Sequence, residues 1–310
     1  MAGEKKWCNI AWKVGEGKAV LDIFEVVVVY TFVLGSLYLL ISLGFSLICG
    51  VLRIFHLGYA YIFVATAYLT WMFMKELGWG LGPAIAGMLV IQIGIAIAAY
   101  RGLIKPYLRA EEKMMTALLL IAMIAEQAGY HWYPIHAGVY LPTTISPGTI
   151  NIGATVISKQ LIFAAIIAIA FTVLFVLFFL KSKPGLGVRA LSQDVYTSQL
   201  MGINVERLYI YIMAITIIPV VIGMLLVAPV WAVDPSMGMG YMITAVLVCV
   251  LGGLGNLKGT IIASYIIGFA HSFVCYVIAE PRFMNLAGLA IVLIVLVIRP
   301  QGIARSEALW

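Results

Sequence analysis

Apolar residues in this chain come in long runs rather than alternating with polar ones. Such runs occupy roughly 24–52, 61–75, 82–104, 114–130, 158–180, 208–229, 241–254, 260–279 and 284–298. A run of about 20 residues is what one α-helix needs to cross a hydrocarbon layer about 30 Å thick, whereas a barrel strand shows only a short, weak alternation. The pattern predicts an all-α polytopic membrane protein with about eight transmembrane helices and some broken or re-entrant segments. Residues 1–22 read as an N-terminal tail and 23–310 as a single transmembrane domain, with polar loops at 131–157 and 181–207.

Three polar interruptions carry most of the remaining information. The longest, Gly185 to Arg207, is too polar to sit in lipid and reads as two short helical pieces facing water. Val188, Leu191 and Val195 recur at helical spacing, Gly202 suits a helix stop, and Asn204 suits the cap of the next helix. The second interruption, Val51 to Tyr61, places Arg53 and His56 beside apolar runs. Cavity lining and a plain surface loop are both open readings for it. The third, Leu251 to Gly259, holds Gly252, Gly253 and Gly255 beside spans that are short, which favours a re-entrant element. Paired interruptions of this kind, one in each half, mark a central solute pathway in many transporters.

Composition removes other classes. The chain of 310 residues is 64% hydrophobic and 10% charged, with mean hydropathy +1.08, far from the balance of a water-soluble domain. Its net charge of +6 sits largely in the tail and in two loops, so it sets orientation and implies no nucleic-acid partner. Loops 101–113 and 181–207 are rich in Lys and Arg, while 131–157 and 230–240 have none. The first pair therefore belongs in the cytoplasm and the second pair outside. The tail, with Lys5, Lys6, Lys13 and Lys18, favours a cytoplasmic N-terminus, which requires 24–52 to bend back or the next segment to be re-entrant. Cys8, Cys49, Cys249 and Cys275 show no metal or disulfide spacing and read as small buried hydrophobes. Arg53 and Glu126, at span ends, read as side chains snorkelling to the interface, and His271 reads as packing.

The residues Gly185-x3-Arg189-Ala190-x3-Asp194-x7-Gly202-Ile203-Asn204-x2-Arg207 resemble the cytoplasmic coupling loop of permease subunits of branched-chain amino-acid type ABC importers. Asp234-Pro235, Leu251-Gly252-Gly253-Leu254-Gly255-Asn256 and Arg299-Pro300-x-Gly302 continue the resemblance in order, so it covers nearly the whole chain. The family also includes amide and urea importers. It implies an ABC-importer permease fold in a prokaryotic cytoplasmic membrane, a second homologous permease, two ABC ATPase subunits and an extracytoplasmic solute-binding protein. Gly185, Arg189, Ala190, Asp194, Gly202, Ile203, Asn204 and Arg207 would form the ATPase coupling element.

The chain departs from the family where the pathway is expected. The family's Asn-Leu-Ala-His-Gly-acidic run is replaced by His56, Leu57, Gly58, Tyr59, Ala60 and Tyr61, its Lys before the glycine motif falls at Met242–Thr244, and its Pro after that motif is Lys258. Candidate pathway residues are His56, Tyr59, Tyr61 and Thr244, with Gly252, Gly253 and Gly255 shaping the aperture. The chain has no Gly-x4-Gly-Lys-Ser/Thr phosphate loop, so ATP and its hydrolysis are expected on a partner and no cofactor on this subunit. A passive small-solute channel is the rival reading. It would usually need charged or hydroxyl-rich sites within the spans, and these spans are poor in them.

Overall fold

A computed structural model describes residues 16–108, 110–132, 140–141, 144–153 and 155–304, with backbone alone for 16–21. The lysines at 5, 6 and 13, Cys8 and Pro134 lie outside the described residues. The helices are α1 (Glu16–Leu52), α2 (Ala60–Lys75), α3 (Leu81–Ala99), α4 (Glu111–Trp132), α5 (Lys159–Lys181), α6 (Lys183–Gln193), α7 (Val195–Leu200), α8 (Val205–Ile215), α9 (Ile217–Val227), α10 (Met237–Gly252), α11 (Leu257–Phe273) and α12 (Met284–Ile298). Helix α3 continues through a wider π turn to Tyr107, and α8 and α9 run on as one span. Seven helical stretches are long and apolar enough to cross a membrane, and Met237–Gly252 is apolar but shorter.

Helix α1 is the axis of the bundle. Its 37 residues give a length of about 55 Å, well beyond one membrane thickness. It does not bend back on itself, and Ser36, Ser42 and Thr31 bond carbonyls of their own helix, so its polar side chains cost little within the bundle. Gly35 faces Gly268 of α11 closely enough that a Cβ on Gly268 would lie 2.7 Å from the Gly35 nitrogen. Two glycines at the crossing let the backbones touch, which in lipid supplies the dispersion contact that drives helix association.

Cross-links fix which loops share an end. At one end Lys105 pairs with Glu206 at 2.8 Å, Arg53 bonds the carbonyl of Ser192, and Ile303 bonds the carbonyl of Leu251. This is the Lys- and Arg-rich end. At the other end Tyr68 donates to the carbonyl of Val233, Leu141 to that of Ala228, and the Gln160 side chain takes the amides of Ile145 and Ser146. Because α1 crosses once and reaches the basic end at Leu52, its first turns lie at the opposite end. Of the two ways to reconcile a cytoplasmic N-terminus with the basic loops, a bend within 24–52 is overturned, because Glu16–Leu52 is one continuous helix. The helix also begins inside the stretch read as tail.

The outer loop holds an element that periodicity did not reveal. Strands β1 (Thr149–Ile152) and β2 (Thr155–Ser158) pair antiparallel, with Ile152 opposite Thr155. Only two residues join them, and Gly153 takes the first place with φ +52. Primed hairpin turns demand positive φ there, and glycine supplies it without a Cβ clash.

Candidate functional site

Two cavities open at the outer end and share Tyr38, Tyr241 and Met284. The smaller, about 280 Å³, is lined by Tyr38, Gly240, Tyr241, Thr244, Arg282 and Asn285 among others. The larger, about 520 Å³, is walled by Leu34, Leu161, Val230, Trp231 and Tyr276. Together they form an outer vestibule with apolar walls and a few polar groups, the usual chemistry of a site for a small amphipathic solute. Tyr38 is fixed there by a 2.9 Å hydrogen bond with His271 Nδ1. Arg282 pairs with Glu280 at 2.6 Å at the mouth, and that guanidinium holds the Glu280 carboxyl below its ordinary value.

Below the vestibule the bundle is closed by aromatic rings. Tyr241 meets Phe63 at 5.6 Å between centroids, Phe63 meets Tyr59 edge-on at 5.7 Å, and Tyr59 meets His56 edge-on at 6.4 Å. Phe45 of α1 braces Tyr59 from the side at 5.5 Å. Edge-to-face pairs of this kind are favourable beyond the area they bury. The column descends from the vestibule into the broken segment, where residues 53–56 belong to no helix or strand and a short 3-10 turn, Leu57–Tyr59, leads into α2. The Tyr59 hydroxyl donates to the Thr216 carbonyl at 3.2 Å, where α8 passes into α9 halfway along that span.

This region contains unmet hydrogen-bonding capacity. His56 is 1% exposed, yet neither ring nitrogen has a hydrogen-bond partner among the described residues, and the buried Tyr61 hydroxyl has none either. A buried polar group without a partner costs about 1–3 kcal/mol, so its retention needs a reason.

The sequence-derived pathway set divides under this geometry. His56 and Tyr59 are in the column, Tyr61 is buried one helical turn beyond, and Thr244 lines the vestibule with its hydroxyl bonded to the Gly240 carbonyl at 3.1 Å. Gly252, Gly253 and Gly255 lie at the opposite end. They form a tight turn against Gly259, Ala304 and Gly50, with the Leu251 and Gly252 carbonyls bonded to the tail amides of Ile303 and Ala304. Their surroundings are packed backbone, and they line neither outer cavity. The segment is a cytoplasmic-end turn rather than a re-entrant one, because α10 simply stops there at Gly253 with φ +97.

The element 182–207, at the basic end, is capped at each of its helices. Ser182 caps α6 by accepting the Gly185 amide at 3.1 Å. A Cβ on Gly185 would run into the Phe179 backbone, so glycine is what lets α6 fold tightly beneath α5. Arg189 reaches back to the Leu180 carbonyl at 3.0 Å, and the Ala190 carbonyl accepts the Asp194 amide. Asp194 caps α7, taking the amides of Tyr196 and Thr197 and the Thr197 hydroxyl. The Thr197 amide, then its hydroxyl, holds the Asp194 carboxyl below the ordinary 3.8. Gly202 at φ +81 and Ile203, bonded to the Ser198 carbonyl, end α7, and Asn204 caps α8 through the Arg207 amide.

Arg189 thus ties the element to the end of α5, and Asp194 caps α7 within it. Among the polar residues exposed on this element stand four exposed apolar or aromatic ones, Leu186, Tyr196, Leu200 and Met201, the last at 78% exposure. Sequence reading placed Tyr196 off the apolar stripe of this loop but assigned none of the four to docking. It also read Arg53 as snorkelling, whereas the guanidinium bonds the carbonyls of Ser192 and Gln193.

Seven helical stretches long and apolar enough to cross a membrane, packed side by side, make this a multi-pass helical bundle. The chain belongs to the family described as branched-chain amino acid transport system / permease component, which it matches over residues 27–298. It is 24% identical to the high-affinity branched-chain amino acid transport system permease protein LivH of Escherichia coli K12, across 87% of this chain and 92% of that protein. It is 23% identical to BraD of Pseudomonas aeruginosa over the same shares. Among solved structures, PsaBC from Streptococcus pneumoniae in complex with Fab is similar, with TM-score 0.50, 15% identity and coverage of 91% of this chain and 93% of that one. That likeness concerns the fold alone.

Proposed function

We propose that this chain is the permease subunit of an ATP-driven ABC importer for branched-chain or related amino acids in a prokaryotic cytoplasmic membrane. The observation that carries the reading is the ring column from Tyr241 to His56, which closes an outward vestibule and ends beside a rigid cytoplasmic element. A closed column needs work to open it, and this chain has no phosphate loop to perform that work. Two ABC ATPase subunits would dock on Leu186, Tyr196, Leu200 and Met201 and bind the ATP themselves. A second homologous permease would complete the membrane unit. A solute-binding protein would deliver cargo at the outer hairpin and loops.

The vestibule suits this cargo class. Its aliphatic and aromatic walls match a branched side chain, and Arg282 in the lining of the smaller cavity supplies a cation for a carboxylate. Urea or a short amide would leave those apolar walls without a partner. The test is a reconstituted complex in liposomes assayed with radiolabelled leucine and urea side by side. Leucine entry that requires ATP hydrolysis and exceeds urea entry is the expected result. Entry at full rate without hydrolysis overturns the importer reading in favour of a passive channel, and urea as the better solute overturns the cargo.

A further inference from the structure

We propose that Arg53 is the positioning residue that transmits movement of the cytoplasmic docking element into the ring column. The inference rests on the importer reading above. Arg53 stands where α1 ends, with a backbone φ of +55 that reverses the chain so that residues 54–59 climb back beside α1. A left-handed conformation at a residue with a Cβ costs on the order of 1 kcal/mol, and glycine would hold it without strain. The side chain must therefore contribute something that glycine lacks.

That contribution is visible at its far end. Arg53 Nη2 donates to the carbonyls of Ser192 and Gln193 at 3.2 and 3.4 Å, the last carbonyls of α6 at the joint with α7. A helix C-terminus presents orphan carbonyls and a partial negative charge, so a guanidinium is well suited to grip it. Asp194, one residue further on, also lies within the field of this cation.

The near end is tied to the column. Only Ile54 and Phe55 stand between Arg53 and His56. Ile54 and His56 are buried, Leu57 bonds the Phe55 carbonyl at 3.0 Å and Tyr59 the His56 carbonyl at 2.9 Å. The segment is thus a short strut held on both sides. A shift of the α6–α7 joint pulls on Arg53, and the strut displaces His56 and Tyr59 at the foot of the column. Coupling of this kind needs a packed element with two arrangements, and the capped docking element provides one rigid body.

The test uses the complete reconstituted complex with Arg53→Gly and Arg53→Lys, measuring leucine imported and phosphate released together. The Gly variant relieves the backbone and removes the cation, so a purely local backbone role predicts unchanged or better behaviour. The expected result is normal assembly, hydrolysis within about twofold, and import per ATP lowered about tenfold, the scale of an ordinary coupling between sites. Arg53→Lys, which keeps one donor near the carbonyls, is expected to recover part of the ratio. Equal import per ATP in the Gly variant and the wild type overturns the proposal. So does a Lys variant no better than Gly, or loss of ATPase binding by the Gly variant, which would make Arg53 part of the docking surface alone. A wild-type complex that imports without nucleotide instead removes the importer reading itself, before any variant is compared.

Discussion

The chain is interrupted at 53–59 and again at 252–256, and the two interruptions are built in opposite ways. In the first, Arg53 is exposed while Ile54, His56, Gly58 and Tyr59 are buried, and His56 within it and Tyr61 just beyond hold polar atoms with no partner among the described residues. In the second, the polar groups are met: Asn256 caps α11 through the Gly259 amide at 3.0 Å, and Thr260 bonds both Ser46 and the Asn256 carbonyl. Tail amides then take the carbonyls of Leu251 and Gly252. One interruption is left unfinished by the fold and the other is sealed by it. Glycine within a membrane protein therefore marks close backbone approach at least as readily as a pathway. Unmet polarity at depth is the stronger pointer to solute passage, because the fold alone gives no reason to keep it.

Substitutions test that contrast most severely where the packing is tightest. Gly252→Val is expected to abolish the folded protein, because its Cβ would lie 2.6 Å from the backbone of Gly259 and Thr260. Overpacking against backbone that cannot yield costs about 3 kcal/mol or more, and the yield of monodisperse protein in detergent measures it. A well-folded Val variant would show that the turn is looser than its contacts imply.

His56→Leu separates the two interruptions by sign. Removing an orphaned buried imidazole is expected to raise stability by about 1–3 kcal/mol while slowing leucine import, read by thermal unfolding and uptake on the same preparation. Unchanged uptake would make His56 a packing residue. Asn256→Ala, in the sealed turn, is expected to lower stability by about 1 kcal/mol, the usual loss for a helix cap. Hydrogen exchange at the first turn of α11 locates the loss, and normal protection there would remove the cap assignment. An effect of similar size and opposite sign belongs to Tyr61→Phe. It deletes one orphaned buried hydroxyl, where His56→Leu deletes two ring nitrogens, so stability is expected to rise by about 1 kcal/mol, while any effect on uptake reports contact with solute.

The architecture was legible because lipid imposes a simple rule: every span must be apolar and helical, so the runs show in composition. The caps of the cytoplasmic element were legible for a related reason, since Gly202 and Asn204 are local signals whose partners lie within five residues. The site was only half legible. His56, Tyr59 and Thr244 could be singled out as polar groups among apolar neighbours. Tyr38, Phe63 and Tyr241 could not, because an aromatic residue in a span looks the same whether it faces lipid or closes a column.

The sequence by itself determined that this is a helical membrane protein of the permease type, which loops are basic, and where a polar, capped loop interrupts the spans. Those properties follow from residue type and spacing within single segments. Only the tertiary structure decided that α1 crosses once, that the two interruptions have opposite characters, and that Arg53 grips the end of α6. Each of these depends on contacts between residues more than a hundred positions apart, whose meeting is fixed by how the helices pack and not by any local pattern.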